Sequence, residues 1–295
     1  MRAKISLENV NFIYGEHTPF ERHALKNASF DVRENAITGL IGHTGSGKST
    51  LVQLLNGLAK PASGRVLLDG EDIWAKPKEI KKIRFRVGLV MQYPEYQLFE
   101  ETVRADIAYG PKNMGLSPEE IDERVRQAAE LVGLDEALLD HSPFELSGGE
   151  KRRVAIAGVV AMRPEVLVLD EPAAGLDPYG RERILHQIRD YQRKSGATVL
   201  IVSHSMEDMA RFCDDVVVLS DGEVFMKGSC KEVFAHADKL SGVGLNVPEI
   251  SRLCAVLRDR GIPIEQGIFT VEDALDSLSR LLASKGQAEQ EASET

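Results

Sequence analysis

Cysteine is scarce in this sequence, with three in 295 residues at positions 213, 230 and 254. The intervals of 17 and 24 residues fit neither a paired zinc-ligand spacing nor a redox dithiol, so a disulfide-stapled fold is excluded and a reduced, cytosolic setting is expected. Basic excess is lacking too: 36 Lys and Arg stand against 46 Asp and Glu, a net charge of -10, which argues against a surface that clings to nucleic acid or anionic lipid. Long apolar runs are missing. The longest, Val154 to Met162, lies between two arginines and has nine residues, where a membrane helix needs roughly 18 or more. The opening MRAKISLENV has no apolar core of the kind a signal peptide carries. His17, His23, His43, His141, His186 and His236 show no metal-ligand spacing. Aromatics amount to 6%, against 43% apolar residues in all, which is enough for a large globular core.

What is present alternates between two periodicities. Residues 5–14 and, less cleanly, 24–32 alternate apolar and polar, predicting antiparallel strands near the N-terminus. The run 36–42 is a short apolar strand that enters a glycine-rich turn and is followed by helical spacing at Leu51, Leu54, Leu55 and Leu58. Strands are also predicted at 63–73, around Asp69-Gly70, and at 83–92, where Ile83, Phe85, Val87, Leu89 and Met91 alternate. From about 100 to 162 the periods turn helical, so an inserted helical subdomain is expected. The runs 166–171 and 198–204 are continuously apolar, as in buried parallel strands, and a helix ending before Gly196 joins them. Strand, helix, strand in that order makes an α/β sheet. A hairpin around Asp221-Gly222 and two amphipathic helices over 247–283 follow; the last ten residues are small, polar and acidic, which predicts a disordered tail.

Three segments carry chemistry. Gly42, His43, Thr44, Gly45, Ser46, Gly47, Lys48 and Ser49 fit G-x-x-x-x-G-K-[ST], the loop whose backbone N–H groups cradle phosphates at a helix start; Thr50 continues it. In such loops the Lys reaches the β- and γ-phosphates and the Ser hydroxyl meets Mg²⁺. The strand ending in Asp170-Glu171 offers one carboxylate for the cation and a second that can orient or deprotonate water. Ser147, Gly148 and Gly149 bare the backbone at another helix start, either an ordinary N-cap or a second anion site.

The phosphate loop, Leu146-Ser-Gly-Gly-Glu150, the strand with Asp170-Glu171-Pro172, the Gly175-Leu176-Asp177 turn and His204 together resemble the ATP-binding cassette ATPases in order and interval. Within that superfamily the segments 93–102, 108–113 and 152–162 are similar to the energy-coupling factor transporter ATPases, and 247–283 to their C-terminal extension. The resemblance implies an α/β P-loop NTPase cassette with an N-terminal antiparallel β subdomain, a RecA-like parallel-sheet core, an inserted helical subdomain and a small C-terminal helical extension. Its expected divisions are residues 1–240 with the helical subdomain at 93–162, then 241–285, then a tail at 286–295. It also implies ATP and Mg²⁺ as ligands. Tyr14 would stack on adenine, Gln92 would sense Mg²⁺ and the attacking water, His204 would contact the γ-phosphate, and Asp177 would reach across a dimer. Lys48, Glu171, His204 and Gln92 form the expected catalytic set; Ser49, Gln92 and Asp170 form the metal set.

The implied activity is ATP hydrolysis that powers uptake of a vitamin or similar micronutrient, from the cytoplasmic face of the membrane. The implied partners are a second ATPase subunit, an integral membrane coupling subunit and a substrate-binding membrane subunit, with no nucleic acid. A soluble cassette in nucleic-acid, translation or cofactor-assembly work is the alternative. Glu150, where Gln is commoner, and Ala173, where Thr is frequent, depart from the family pattern. The basic stretch 76–86 is expected as a solvated face beside a strand. The segment 92–101, with Tyr93, Tyr96, Leu98 and Phe99 among Glu95, Glu100 and Glu101, is expected to receive a basic helix of the membrane partner.

Overall fold

The computed structural model describes residues 2–293, with side chains described to residue 283. Two sheets carry the fold. The first is antiparallel, in the order β2-β1-β4-β5, from β1 (Ala3–Tyr14), β2 (Arg22–Arg33), β4 (Ser63–Leu68) and β5 (Glu71–Asp72). The second, in the order β10-β9-β3-β8-β7-β6, joins β3 (Ile37–Gly42), β6 (Val87–Val90), β7 (Val166–Asp170), β8 (Thr198–Val202) and β9 (Asp215–Ser220) in parallel, and β10 (Glu223–Ser229) closes it antiparallel. Two hairpins turn at Asp69-Gly70 and Asp221-Gly222, whose φ values of 54°, 83°, 50° and 84° suit the tight turns that match strand twist.

The continuous apolar runs are explained by burial on both faces of the parallel sheet. Leu167 and Leu169 of β7, Val199 and Ile201 of β8, and Val216 and Val218 of β9 join one core. Their alternates Val166, Val168, Leu200, Val202, Val217 and Leu219 join the other, with α1 (Lys48–Leu55) and the antiparallel sheet. The chain crosses between the sheets through α2 (Ile80–Arg86). Here the structure corrects the strand expected over 83–92: its first half is helix, and strand begins only at Val87. The physical reason is that Ile80 and Ile83 lie three apart on one helical face. Ile80 lies close against Gly57, Ile83 packs on the second core, and the intervening basic residues point outward.

The basic stretch is correspondingly more than a solvated face. Arg84 donates to the carbonyl of Gly57 at 3.1 Å. Arg86 donates to Glu165 at 2.6 Å and also to Asp69, and Lys4 donates to the same two carboxylates at 2.6 and 2.9 Å. These four residues tie the β4–β5 turn to the start of β7. The Arg86 hydrogen bonds and the Lys4 ammonium pull the Glu165 carboxyl down to about 2.

Between β6 and β7 the chain forms α3 (Val103–Met114), α4 (Pro118–Leu131) and α5 (Gly148–Val160). Ser117 caps α4 through the N–H of Glu120, and Pro118 occupies its first turn. Beyond β7 come α6 (Pro178–Ser195), stopped by Gly196 at φ 68°, then α7 (Met206–Phe212), α8 (Cys230–Phe234) and α9 (Ala237–Gly242). The amphipathic pair is α10 (Glu249–Asp259) and α11 (Val271–Ser293). Cys254, Ile264, Ile268 and Ala274 form a small core there, while Leu253, Leu275 and Leu282 on the same two helices are more than half exposed. The segment 286–295, read from composition as a disordered tail, carries the end of α11 as far as Ser293; residues 294 and 295 lie outside the described residues.

Candidate nucleotide-binding and hydrolysis site

The parallel register brings the chemistry to one edge of the sheet. Leu40 of β3 and Asp170 of β7 both pair with Val202 of β8, so Gly42, Asp170 and His204 all sit at carboxyl ends of strands, where open α/β sheets bind ligands. Val90 of β6 lies opposite Leu169, which sends Gln92 off the same edge, where it is exposed.

The loop from Gly42 to Gly47 has glycine where geometry demands it. A Cβ at Gly42 would stand 2.4 Å from the carbonyl oxygen of Leu219, and Gly47 adopts φ 106°, where a Cβ would stand 2.6 Å from the Ala24 carbonyl oxygen. The Lys48 ammonium folds back over the loop and donates to the carbonyls of Gly42 at 2.7 Å and His43 at 3.0 Å. Burial lowers its pKa, while Glu171 and Asp170 pull the other way. Thr44, Gly45 and Ser49 are exposed, whereas Ser46 and Thr50 are buried. Tyr14 ends β1 with its hydroxyl 3.0 Å from Thr50 Oγ1 and its ring 45% exposed, edge-on to Phe12.

Burial raises the Asp170 carboxyl above its usual range, against the opposing pull of the Ser49 hydroxyl and the Lys48 ammonium. Glu171 next to it has a left-handed φ of 53° and donates its N–H to the carbonyl of Val202 at 3.0 Å. Burial and the Asp170 charge push its carboxyl up to about 7. Its Oε1 lies 3.1 Å from His204 Nε2 but is buried with no hydrogen-bond partner, so the contact is one of proximity without bonding geometry. The His204 pKa is lowered, by burial and by Lys48. Glu171, Ala173 and His204 line a cleft of about 410 Å³. The Ser49 hydroxyl and the buried Asp170 carboxylate are hard oxygen donors, which fit Mg²⁺ held by few protein ligands with phosphate and water completing its shell.

Ser147 stands elsewhere. It caps α5 in a reciprocal box with Glu150, its hydroxyl donating to the Glu150 carboxylate at 2.6 Å. Ser147, Gly149 and Asp177 line a separate cleft of about 420 Å³; among the described residues lining it, Lys48, Asp170 and Glu171 do not appear. Gly148 is exposed at the same helix start. Asp177 accepts from the Gly180 N–H at 2.7 Å as the N-cap of α6. One chain therefore brings Lys48, Ser49, Asp170, Glu171 and His204 together and leaves Ser147 and Asp177 on another face.

The ABC transporter family matches residues 25–174. The energy-coupling factor transporter ATP-binding protein EcfA2 of Caldanaerobacter subterraneus subsp. tengcongensis is 52% identical over 94% of this chain and 97% of that one. The chain belongs to this family of transporter ATPases. The protein of the same name from Clostridium perfringens is also 52% identical, over 94% and 98%. Among solved structures, cbiO1 from Clostridium perfringens, described as part of the ABC transporter complex cbiONQ, superposes with a TM-score of 0.73 at 40% identity, covering 86% of this chain and 99% of that one. A dimeric post-hydrolysis state of an ATP-binding cassette bound to ADP and Pi gives a TM-score of 0.69 at 30% identity, over 77% and 98%. The cassette fold and the ATPase activity of an energy-coupling factor type transporter subunit follow. No helix among the described residues is long and apolar enough to cross a membrane.

Two features escaped the motifs. Glu95, expected among the acids of a docking rim, is 16% exposed and gripped by Arg152, a buried cation at the head of segment 152–162 to which the motifs give no role. The signal available was slight: two arginines at the start of an otherwise apolar helical run.

Proposed function

We propose that this ATPase subunit hydrolyses Mg-ATP at a site completed by a second ATPase subunit, and that the work drives uptake of a vitamin or similar micronutrient through integral membrane partners. The subunit would sit peripherally on the cytoplasmic face. The observation that carries the reading is the pairing of an anion cradle around Lys48 with Glu171 Oε1, a buried carboxylate oxygen left unbonded beside His204.

On this reading the backbone N–H groups from Gly45 to Thr50 receive the phosphates, and the Lys48 ammonium leaves the Gly42 and His43 carbonyls for phosphate oxygens. Tyr14 offers its exposed face to adenine. Ser49 and Asp170, with Gln92, would hold Mg²⁺, which when bound neutralises charge on the phosphates. Glu171 accepts the proton of the attacking water, and an acid raised to about 7 is well matched to that transfer near neutral pH. His204, neutral because burial lowers its pKa, donates one ring N–H toward the γ-phosphate. Ser147, Gly148, Gly149 and Asp177 would act across the dimer on the partner's nucleotide.

A groove of about 540 Å³, walled by Leu98, Phe99, Tyr109, Gly158 and Met162, is our candidate seat for a helix of the membrane coupling subunit. Residues 1–240 with the helical part 93–162 would then form the motor unit, and 241–285 an extension with its own small core.

The test is Glu171→Gln in the assembled transporter. The amide keeps the shape and loses the base, so nucleotide binding is expected to persist while turnover falls by on the order of 10²–10⁴. Steady-state hydrolysis at the wild-type rate would remove Glu171 from this role.

A further inference from the structure

Arg152 lies five residues after Ser147 on α5, among the buried apolar residues Val154, Ile156 and Ala157. Its side chain is 3% exposed. A charge so buried is tolerated only where its donors are met. Two segments meet them. Nη2 and Nε grip both carboxylate oxygens of Glu95 at 2.8 and 3.1 Å. Nη1 donates to the backbone carbonyls of Pro172, at 3.5 Å, and Ala174. The ring of Tyr93 lies 6.0 Å from the guanidinium carbon.

The two ends of this connection differ in what they adjoin. Glu95 belongs to the short 3-10 turn Pro94–Gln97, which follows Gln92 and leads directly into the Gln97–Phe99 wall of the groove. Pro172 and Ala174 belong to the turn that leaves Glu171, a residue held at φ 53°. A non-glycine residue keeps such a backbone only where the surrounding structure over-determines it, and the carbonyls that Arg152 grips are one and three residues away.

We infer that Arg152 is a positioning residue for hydrolysis: its guanidinium fixes the turn that aims Glu171 and links it to the groove wall, so that a helix seated in the groove changes the hydrolysis rate through this side chain. The inference rests on the proposed roles of Glu171 and of the groove. Only a planar fork serves both ends at once; a lysine, with a single ammonium, reaches one at the expense of the other.

The experiment uses the whole transporter in liposomes alongside the ATPase subunits purified without the membrane subunits. Glu95→Gln and Arg152→Lys are each expected to lower kcat about tenfold while KM for ATP stays within about twofold. The ratio of hydrolysis rates, assembled over unassembled, is expected to fall towards one. A third variant, Arg152→Met with Glu95→Leu, replaces the buried pair with apolar side chains of similar size, an exchange that commonly preserves stability. Its Tm should match wild type while its kcat stays low. Recovery of kcat together with Tm in that variant would reduce Arg152 to a structural role and overturn the inference. So would wild-type kcat, or an unchanged assembled-to-unassembled ratio, in Glu95→Gln and Arg152→Lys. Glu171→Gln in the same preparations separates the two readings: wild-type hydrolysis there overturns both, whereas a dead Glu171→Gln beside fully active Arg152 variants overturns this inference alone.

Discussion

The carboxyl of Glu171 ties stability to the same environment that suits it to catalysis. Burial and the Asp170 charge raise it from 4.5 to about 7 in the folded chain, against the pull of Lys48 and of the His204 backbone N–H. The folded state therefore holds a proton that the unfolded chain releases near 4.5, and stability falls as pH rises from about 4.5 to about 7, then levels. In Glu171→Gln that component is gone. We expect the Tm of nucleotide-free wild type, taken relative to Glu171→Gln, to decline across this window. Scanning calorimetry at pH 5, 6, 7 and 8 reads it, and a difference that stays constant with pH would mean that the carboxyl is ionised throughout. The residues around it were unequally legible. The phosphate loop is one contiguous motif in which a Cβ at Gly42 would stand 2.4 Å from a backbone oxygen, so its spacing alone announces it. Arg152 has partners 57 and 20 residues away, and no local pattern encodes such a meeting.

At the scale of elements, the strands were readable where burial on two faces makes an unbroken apolar run, as in β7 and β8. The stretch 83–92 was misread because a seven-residue helix abutting a four-residue strand produces an accidental alternation. The groove was half legible. Its aromatic content was visible in 93–99, but its second wall comes from α3 and α5, which only the fold brings there. Phe99 and Tyr109 meet edge-on at 4.9 Å and are 58% and 48% exposed, so charges placed there disturb the groove and spare the core. Phe99→Glu with Tyr109→Glu is expected to release the subunit from its membrane complex while leaving nucleotide binding within about twofold, because exposed substitutions typically move stability by no more than about 0.5 kcal/mol. Co-purification decides: retention at wild-type stoichiometry would place the docking surface elsewhere. Glu95→Lys would be a poor test, since it would leave the Arg152 guanidinium buried against a like charge.

For the whole molecule, the separation of the Ser147 face from the Lys48 loop sets what a single chain can do. The Ser147 hydroxyl is engaged by Glu150, whose carboxyl those hydrogen bonds hold below its usual range, so the helix start carries a negative charge where a partner's γ-phosphate would arrive. On the proposed composite site, closure would require the capping box to open, after which the helix N-terminus and the two bare glycines would receive the anion. ATP binding to the Lys48 loop requires none of this. Ser147→Arg should accordingly bind ATP as an isolated chain within about twofold of wild type, less stable by about 1 kcal/mol for the lost cap. The same substitution should abolish both ATP-driven dimerisation and turnover. Light scattering with ATP in the Glu171→Gln background measures the first, since hydrolysis cannot then dissolve the dimer. If the isolated Ser147→Arg chain lost ATP affinity, Ser147 would be part of its own chain's site, and if it still dimerised with ATP, the helix start of α5 would lie outside the composite interface.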